Sequence, residues 1–188
     1  MRIIRELPVL ALFAVLLAGC ASTNVGKEVF LDETKGTGVM VASLTKTTKF
    51  KMFAKLRGVD TTYKEAVHVT SEFVTSDWGC PFFGIIPEDK PCGRLVIMEL
   101  PQGEYEFYSW EGSLSGGLGT FIVKPRQQFS KRFRVTAGKA VYVGNIHFSG
   151  IGEDTSMKVV DMRERDLALL YRKSPKIKPE NVLIDILK

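Results

Sequence analysis

Residues 94–110 read RLVIMELPQGEYEFYSW. Arg94 to Leu100 is an apolar run of strand length, Pro101-Gln102-Gly103 is a turn tripeptide, and Glu104 to Trp110 interleaves acids with aromatics. The stretch is predicted to be a β-hairpin. Because strand side chains alternate between faces, Tyr105 and Phe107 should point to a core and Glu104 and Glu106 to water.

Strand signals continue on both sides. Gly38 to Thr45 (GVMVASLT) and Phe50 to Leu56 (FKMFAKL) alternate apolar and polar residues, placing Phe50, Met52, Ala54 and Leu56 on one face. Ala66 to Thr75 (AVHVTSEFVT) is β-branched and contains His68. Downstream, Leu118 to Lys124, Gln128 to Val135 and Lys139 to Phe148 complete the series, with Thr136-Ala137-Gly138 as a further turn. Many short strands separated by turns predict a mainly β chain, an antiparallel β-sandwich. Near the end the period changes. Asp161 and Glu164 have the spacing of a capping box, Leu167, Leu170 and Tyr171 fall on one helical face, and Ser174-Pro175 stops the run, which predicts a C-terminal helix. The last residues, PENVLIDILK, suit either a strand or a short helix.

The chain has 188 residues, 45% of them hydrophobic and 25% charged, enough for one domain with a real core. Its beginning does not belong to that core. Arg2 and Arg5 precede an apolar stretch from Leu7 to Ala18, too short to span a bilayer and ending in small residues before Cys20. This is the pattern of a secretory signal over residues 1–19. A polar tether then covers 20–27, and a single domain covers 28–188. A net charge of +5 is mild and carries no nucleic-acid footprint.

Export to an oxidising compartment leaves Cys80 and Cys92 to pair with each other as a structural disulfide. There is no C-x-x-C, and His68 and His147 lack ligand spacing with the cysteines, so neither a redox site, a metal nor another cofactor is expected.

Three stretches qualify as binding candidates. Residues 78–92 (WGCPFFGIIPEDKPC) crowd Trp78, Phe82, Phe83, Ile85 and Ile86 into a proline-stiffened loop, which either docks a partner or folds back as a cap on the core. Residues 124–134 (KPRQQFSKRFR) offer Lys131, Arg132 and Arg134 to an anionic surface, or protect an edge strand. Residues 113–120 (SLSGGLGT) lack the lysine of a phosphate loop and read as a hairpin loop. Among nucleophile motifs, G-x-S-x-G and H-E-x-x-H are both missing. Asn145 and His147 share one strand face, around which a hydrolytic site can be imagined, while Glu104 and Glu106, also on one face, read as solvated rather than as a glycosidase pair.

Leu17-Ala18-Gly19-Cys20 resembles the lipobox of bacterial lipoprotein precursors. That resemblance implies cleavage before Cys20, acylation of its sulfur and amino end, and, with Ala21 rather than aspartate next, the outer membrane facing the periplasm. Together with LVIMELPQGEYEFYSW, VTAGKAVYVGNIHF and DMRERDLALLYRKSP, the box is similar to a loose group of bacterial envelope lipoproteins. The likeness implies a prealbumin-like or immunoglobulin-like sandwich acting as a non-enzymatic binding or structural module, with the membrane and an envelope protein or anionic envelope polymer as partners. A hydrolase at Asn145 and His147, or a carrier of an apolar ligand between the sheets, are the other functions considered.

Overall fold

Phe50, Met52, Ala54 and Leu56 are all buried, and so are Tyr105 and Phe107, so the period-2 faces predicted by the sequence do line one core. A computed structural model describes residues 29–59, 77–80, 86–87, 91–117 and 119–188. The expected signal segment, Cys20, the tether and the strand expected at 66–75 with His68 lie outside the described residues.

Nine described strands form two sheets. They are β1 (Thr37–Lys46), β2 (Lys51–Gly58), β3 (Cys92–Pro101), β4 (Gly103–Gly116) and β5 (Gly119–Val123). Then follow β6 (Lys131–Val135), β7 (Ala140–Ser149), β8 (Ser156–Val160), helix α1 (Arg163–Lys173) and β9 (Val182–Ile184). The five-stranded sheet runs β3-β1-β7-β8, with β9 also on β7. In the four-stranded sheet β4 is central, with β2 on one side and β5 and β6 in succession on the other. The inner faces of both sheets interlock around Met40, Leu44, Met98, Phe107, Trp110, Phe133 and Phe148, which is the β-sandwich expected. Each such side chain, fully buried, contributes roughly 1.5–3 kcal/mol.

The stretch that announced the fold is not a hairpin. β3 pairs with β1 and β4 pairs with β2, β5 and β6, so Pro101-Gln102-Gly103 carries the chain from one sheet across to the other. Two physical reasons favour the arch. Leu95, Val96 and Ile97 are buried on both faces, as a strand covered on two sides must be. Pro101 has no amide to donate to a hairpin ladder. The Tyr105 hydroxyl donates to the Pro101 carbonyl at 2.8 Å and pins the crossing.

The five-stranded sheet is mixed, because β7 runs parallel to both β1 and β9. Its register slips between Val41 and Ser43, opposite Gly144, whose φ of 104° is readily adopted by glycine. The slip puts Tyr142 and Asn145 on the same outer face. Helix α1 covers that face through Leu169 and Leu170, against Val41, Leu95, Ile97 and Tyr142. The buried helical stripe is Asp166, Leu169 and Leu170, rotated from the expected Leu167, Leu170 and Tyr171, of which Leu167 and Tyr171 are half-buried. The cap is also displaced by one: Met162 is the N-cap, and the Asp161 carboxylate accepts from the Arg163 amide. Residues 179–184 use both conformations left open by the sequence, a 3-10 turn followed by β9. No helix among the described residues is long and apolar enough to cross a membrane.

Candidate functional site

With α1 on one side of the sandwich, the outer face of the four-stranded sheet has no helical cover among the described residues. Strand alternation sends Glu104, Glu106 and, beyond a bulge between Lys55 and Leu56, Glu111 from β4 to this face. Each acid meets cations from the flanking strands. Glu111 lies 3.3 Å from Lys55 and 3.8 Å from Lys124. Glu106 lies 2.6 Å from Arg57 and 3.8 Å from Arg132, and it accepts a short hydrogen bond from the Ser130 hydroxyl. Arg134 stands opposite Glu104 in the ladder. The Arg57 guanidinium also rests 4.6 Å from the centre of the Tyr108 ring.

Glu106 corrects the sequence reading. It points outward as predicted but is buried, not solvated, because Arg57, Arg132 and Ser130 close over it. The Ser130 hydroxyl first, and the Arg57 guanidinium next, hold its carboxyl below the usual carboxylate range against the opposing effect of burial.

The three basic candidates separate. Arg132 and Arg134 are exposed on this outer face, whereas Lys131 shares the inward parity of Phe133 and Val135. Lys131 instead lines an open groove of about 580 Å³ at the sandwich end, between the β5–β6 and β7–β8 connections. Trp110, Phe129 and Met157 supply its apolar lining. Arg126 spans the rim, 3.6 Å from both Glu153 and Asp154.

The aromatic loop is described only in part. Cys80 and Cys92 are joined, with Cα atoms 4.7 Å apart, and Ile86 is buried against them. Trp78 packs on the helix-side core, its ring 4.1 Å from the Arg165 guanidinium. At Trp78 and Ile86 the loop therefore folds back on the body. Phe82, Phe83 and Ile85 lie outside the described residues.

Beneath α1 lies a polar network that the sequence reading reached only at one end. His147 Nδ1 is 2.9 Å from Thr45 Oγ1, which donates to Asn145 Oδ1 at 3.0 Å. The Ser43 hydroxyl is 3.0 Å from the same Asn145 oxygen and 2.5 Å from Asp166 Oδ2. Tyr142 donates to that carboxylate oxygen at 2.7 Å, and Arg165 Nε donates to the other at 2.8 Å. Burial, reinforced by the Asp166 carboxylate, pushes the Tyr142 phenol far above its ordinary range. Asn145 and Thr45 thus stand between His147 and Ser43, and the hydroxyl of Ser43 meets a carboxylate rather than an imidazole. Asp166 was absent from the sequence-derived sites, yet its position carried a signal: an acid three and four residues before Leu169 and Leu170 shares their buried stripe.

No group of three or more metal-ligating side chains occurs among the described residues. No family model, curated protein or solved structure matches the chain.

Proposed function

We propose that the chain is a lipid-anchored module of the bacterial envelope that binds an anionic envelope surface, without itself catalysing a reaction. The lipid anchor on Cys20 rests on the lipobox-like LAGC and the apolar stretch before it. One observation carries the binding reading. Among the described residues of this outer face, Lys55, Arg57, Lys124, Arg132 and Arg134 surround Glu104, Glu106 and Glu111, so that cations outnumber carboxylates. The central glutamates orient the cations, and the excess charge is left for phosphate or carboxylate groups of a polymer or headgroup layer. Phe53 and Tyr108 on the same face add flat apolar area between the charges. Attraction of this kind is worth ~1 kcal/mol per cation at an anionic surface.

The test separates anchor from face. Cys20→Ala should release the protein from membranes into the soluble fraction. That released protein should co-sediment with vesicles rich in anionic phospholipid, lose this at high salt, and lose it on Arg132→Glu with Arg134→Glu. Unchanged membrane association of Cys20→Ala after a salt wash would remove the lipid anchor. Binding indifferent to the double charge reversal would remove the face.

A further inference from the structure

We propose that β5 is the seam of a homodimer, in which the β5 strands of two copies pair antiparallel about a two-fold axis at Phe121. The observation is an edge strand that is without protection among the described residues. β5 borders the four-stranded sheet, and Gly119–Val123 holds no charge and no proline, while its pairing with β4 is unbroken by a bulge. Phe121 is 55% exposed and Ile122 is 52% exposed, with Leu114 beside Phe121 at 42%. Free edges invite pairing with other chains, and proteins usually blunt them with charge, proline, brevity or cover.

The other described edges are blunted in those ways. β2 carries Lys51, Lys55 and Arg57, β6 carries Lys131, Arg132 and Arg134, and β8 carries Lys158. β9 is three residues long. Along β3, the amides of Asp77 and Trp78 both bond the Gly93 carbonyl, and the Asp77 carboxylate accepts from the Leu95 amide.

Charge also chooses a second copy as the occupant. Symmetric pairing through β8 would set Lys158 against Lys158, and through β6 would set Arg132 against Arg134; like charges directly opposite are unfavourable. Symmetric pairing through β5 places Phe121 against Phe121 and Thr120 against Ile122 of the second copy, with no charge in the strand. The hydrogen-bonding phase agrees. In an antiparallel ladder alternate residues turn their amides and carbonyls to the far side. With Gly116 and Gly119 closing the β4–β5 hairpin, Thr120 and Ile122 are the residues that face the open edge. Those two become each other's partners across the axis, and the Phe121 pair falls at the closely spaced position where aromatic rings stack best. The axis stands perpendicular to the sheet, so the outer faces of both copies lie on one side of a continuous sheet. This inference does not depend on what those faces bind.

The test uses the full-length exported chain. Phe121→Cys should cross-link under mild oxidant to a species of twice the monomer mass on a non-reducing gel. Ile151→Cys, at a site 85% exposed elsewhere on the surface, should remain monomeric. Adding Ile122→Pro removes one outward amide and should abolish the Phe121→Cys product without shifting the monomer's unfolding midpoint. In sedimentation of the detergent-solubilised chain, the unsubstituted protein should give the dimer mass, and Ile122→Pro should halve it. A monomeric Phe121→Cys, equal cross-linking at Ile151→Cys, or a dimer that survives Ile122→Pro would each overturn the proposal.

Discussion

The Tyr142 hydroxyl donates to Asp166 Oδ2 across 2.7 Å and ties the middle of β7 to the first turn of α1. Asp166 has no solvent exposure, and its charge is met by Arg165, by the hydroxyls of Ser43 and Tyr142, and by the positive end of its own helix. Removing a buried hydrogen-bond donor from such a carboxylate costs about 1–3 kcal/mol. Tyr142→Phe should therefore lower the urea midpoint by that amount with an unchanged slope. Asp166→Ala strands Arg165 and two hydroxyls and should cost about 3 kcal/mol. An Asp166→Ala midpoint equal to wild type would show that α1 is held by its leucines alone.

Gly93 sits in β3 directly opposite Thr45 of β1. A Cβ at that position would lie 2.0 Å from the Leu44 carbonyl oxygen and 2.7 Å from the Thr45 Cα. Both are backbone atoms of the paired strand, so relief requires the ladder to shift. Gly93→Ala should destabilise by about 3 kcal/mol, the upper part of the range for overpacking. Gly116→Ala meets nothing within 4 Å and should change stability by less than ~0.5 kcal/mol. Thermal unfolding of the two variants side by side checks the contrast.

What the sequence revealed, and what it hid, divides along contact distance. Alternation is a local property, so Phe50, Met52, Ala54, Leu56, Tyr105 and Phe107 could be assigned to a core without knowing any partner strand. Which sheet a strand joins is not local: PQG looks the same whether it turns a strand back on itself or arches it over to a second sheet. β8 went unanticipated because Ser156–Val160 is five residues long and, at most positions, no more than half-buried. The candidate face shows the same limit. Arg132 and Arg134 stood out as a basic run, but Glu106 looked solvated because Arg57, its ion-pair partner, lies 49 positions away. Asn145 and His147 were visible as neighbours on one strand, while the Ser43–Asp166 contact that completes their network spans 123 positions.

The Cys80–Cys92 bond closes a short loop beside β3 and packs Ile86 over its own sulfurs. In the chain-entropy model a link across 12 positions contributes about 3 kcal/mol by restricting the unfolded chain. Changing both cysteines to serine should cost close to that and should leave the β-sheet signal in circular dichroism intact at low temperature. Mass spectrometry of the exported protein without reductant should find the two peptides joined. Two free thiols there would mean that the loop is held by packing alone.

Glu106 makes stability depend on acid. Because Ser130 and Arg57 hold its carboxyl below the usual range, the folded protein binds fewer protons than the unfolded chain in mildly acidic solution. Its contribution is therefore complete above the unfolded value near ~4.3 and disappears as pH falls through the depressed folded value. Glu106→Gln removes the charge that faces Arg57 and Arg132 while keeping the shape of the side chain. The variant should lose about 1–2 kcal/mol at neutral pH, since two guanidinium groups and one hydroxyl lose a charged acceptor. It should lose progressively less below about pH 4, where the native carboxyl is itself being neutralised. Urea unfolding of both proteins across that range gives the difference directly. Curves that stay parallel down to about pH 2 would mean that Glu106 titrates alike in the folded and unfolded chains, so that its cations lie near it without stabilising its charge.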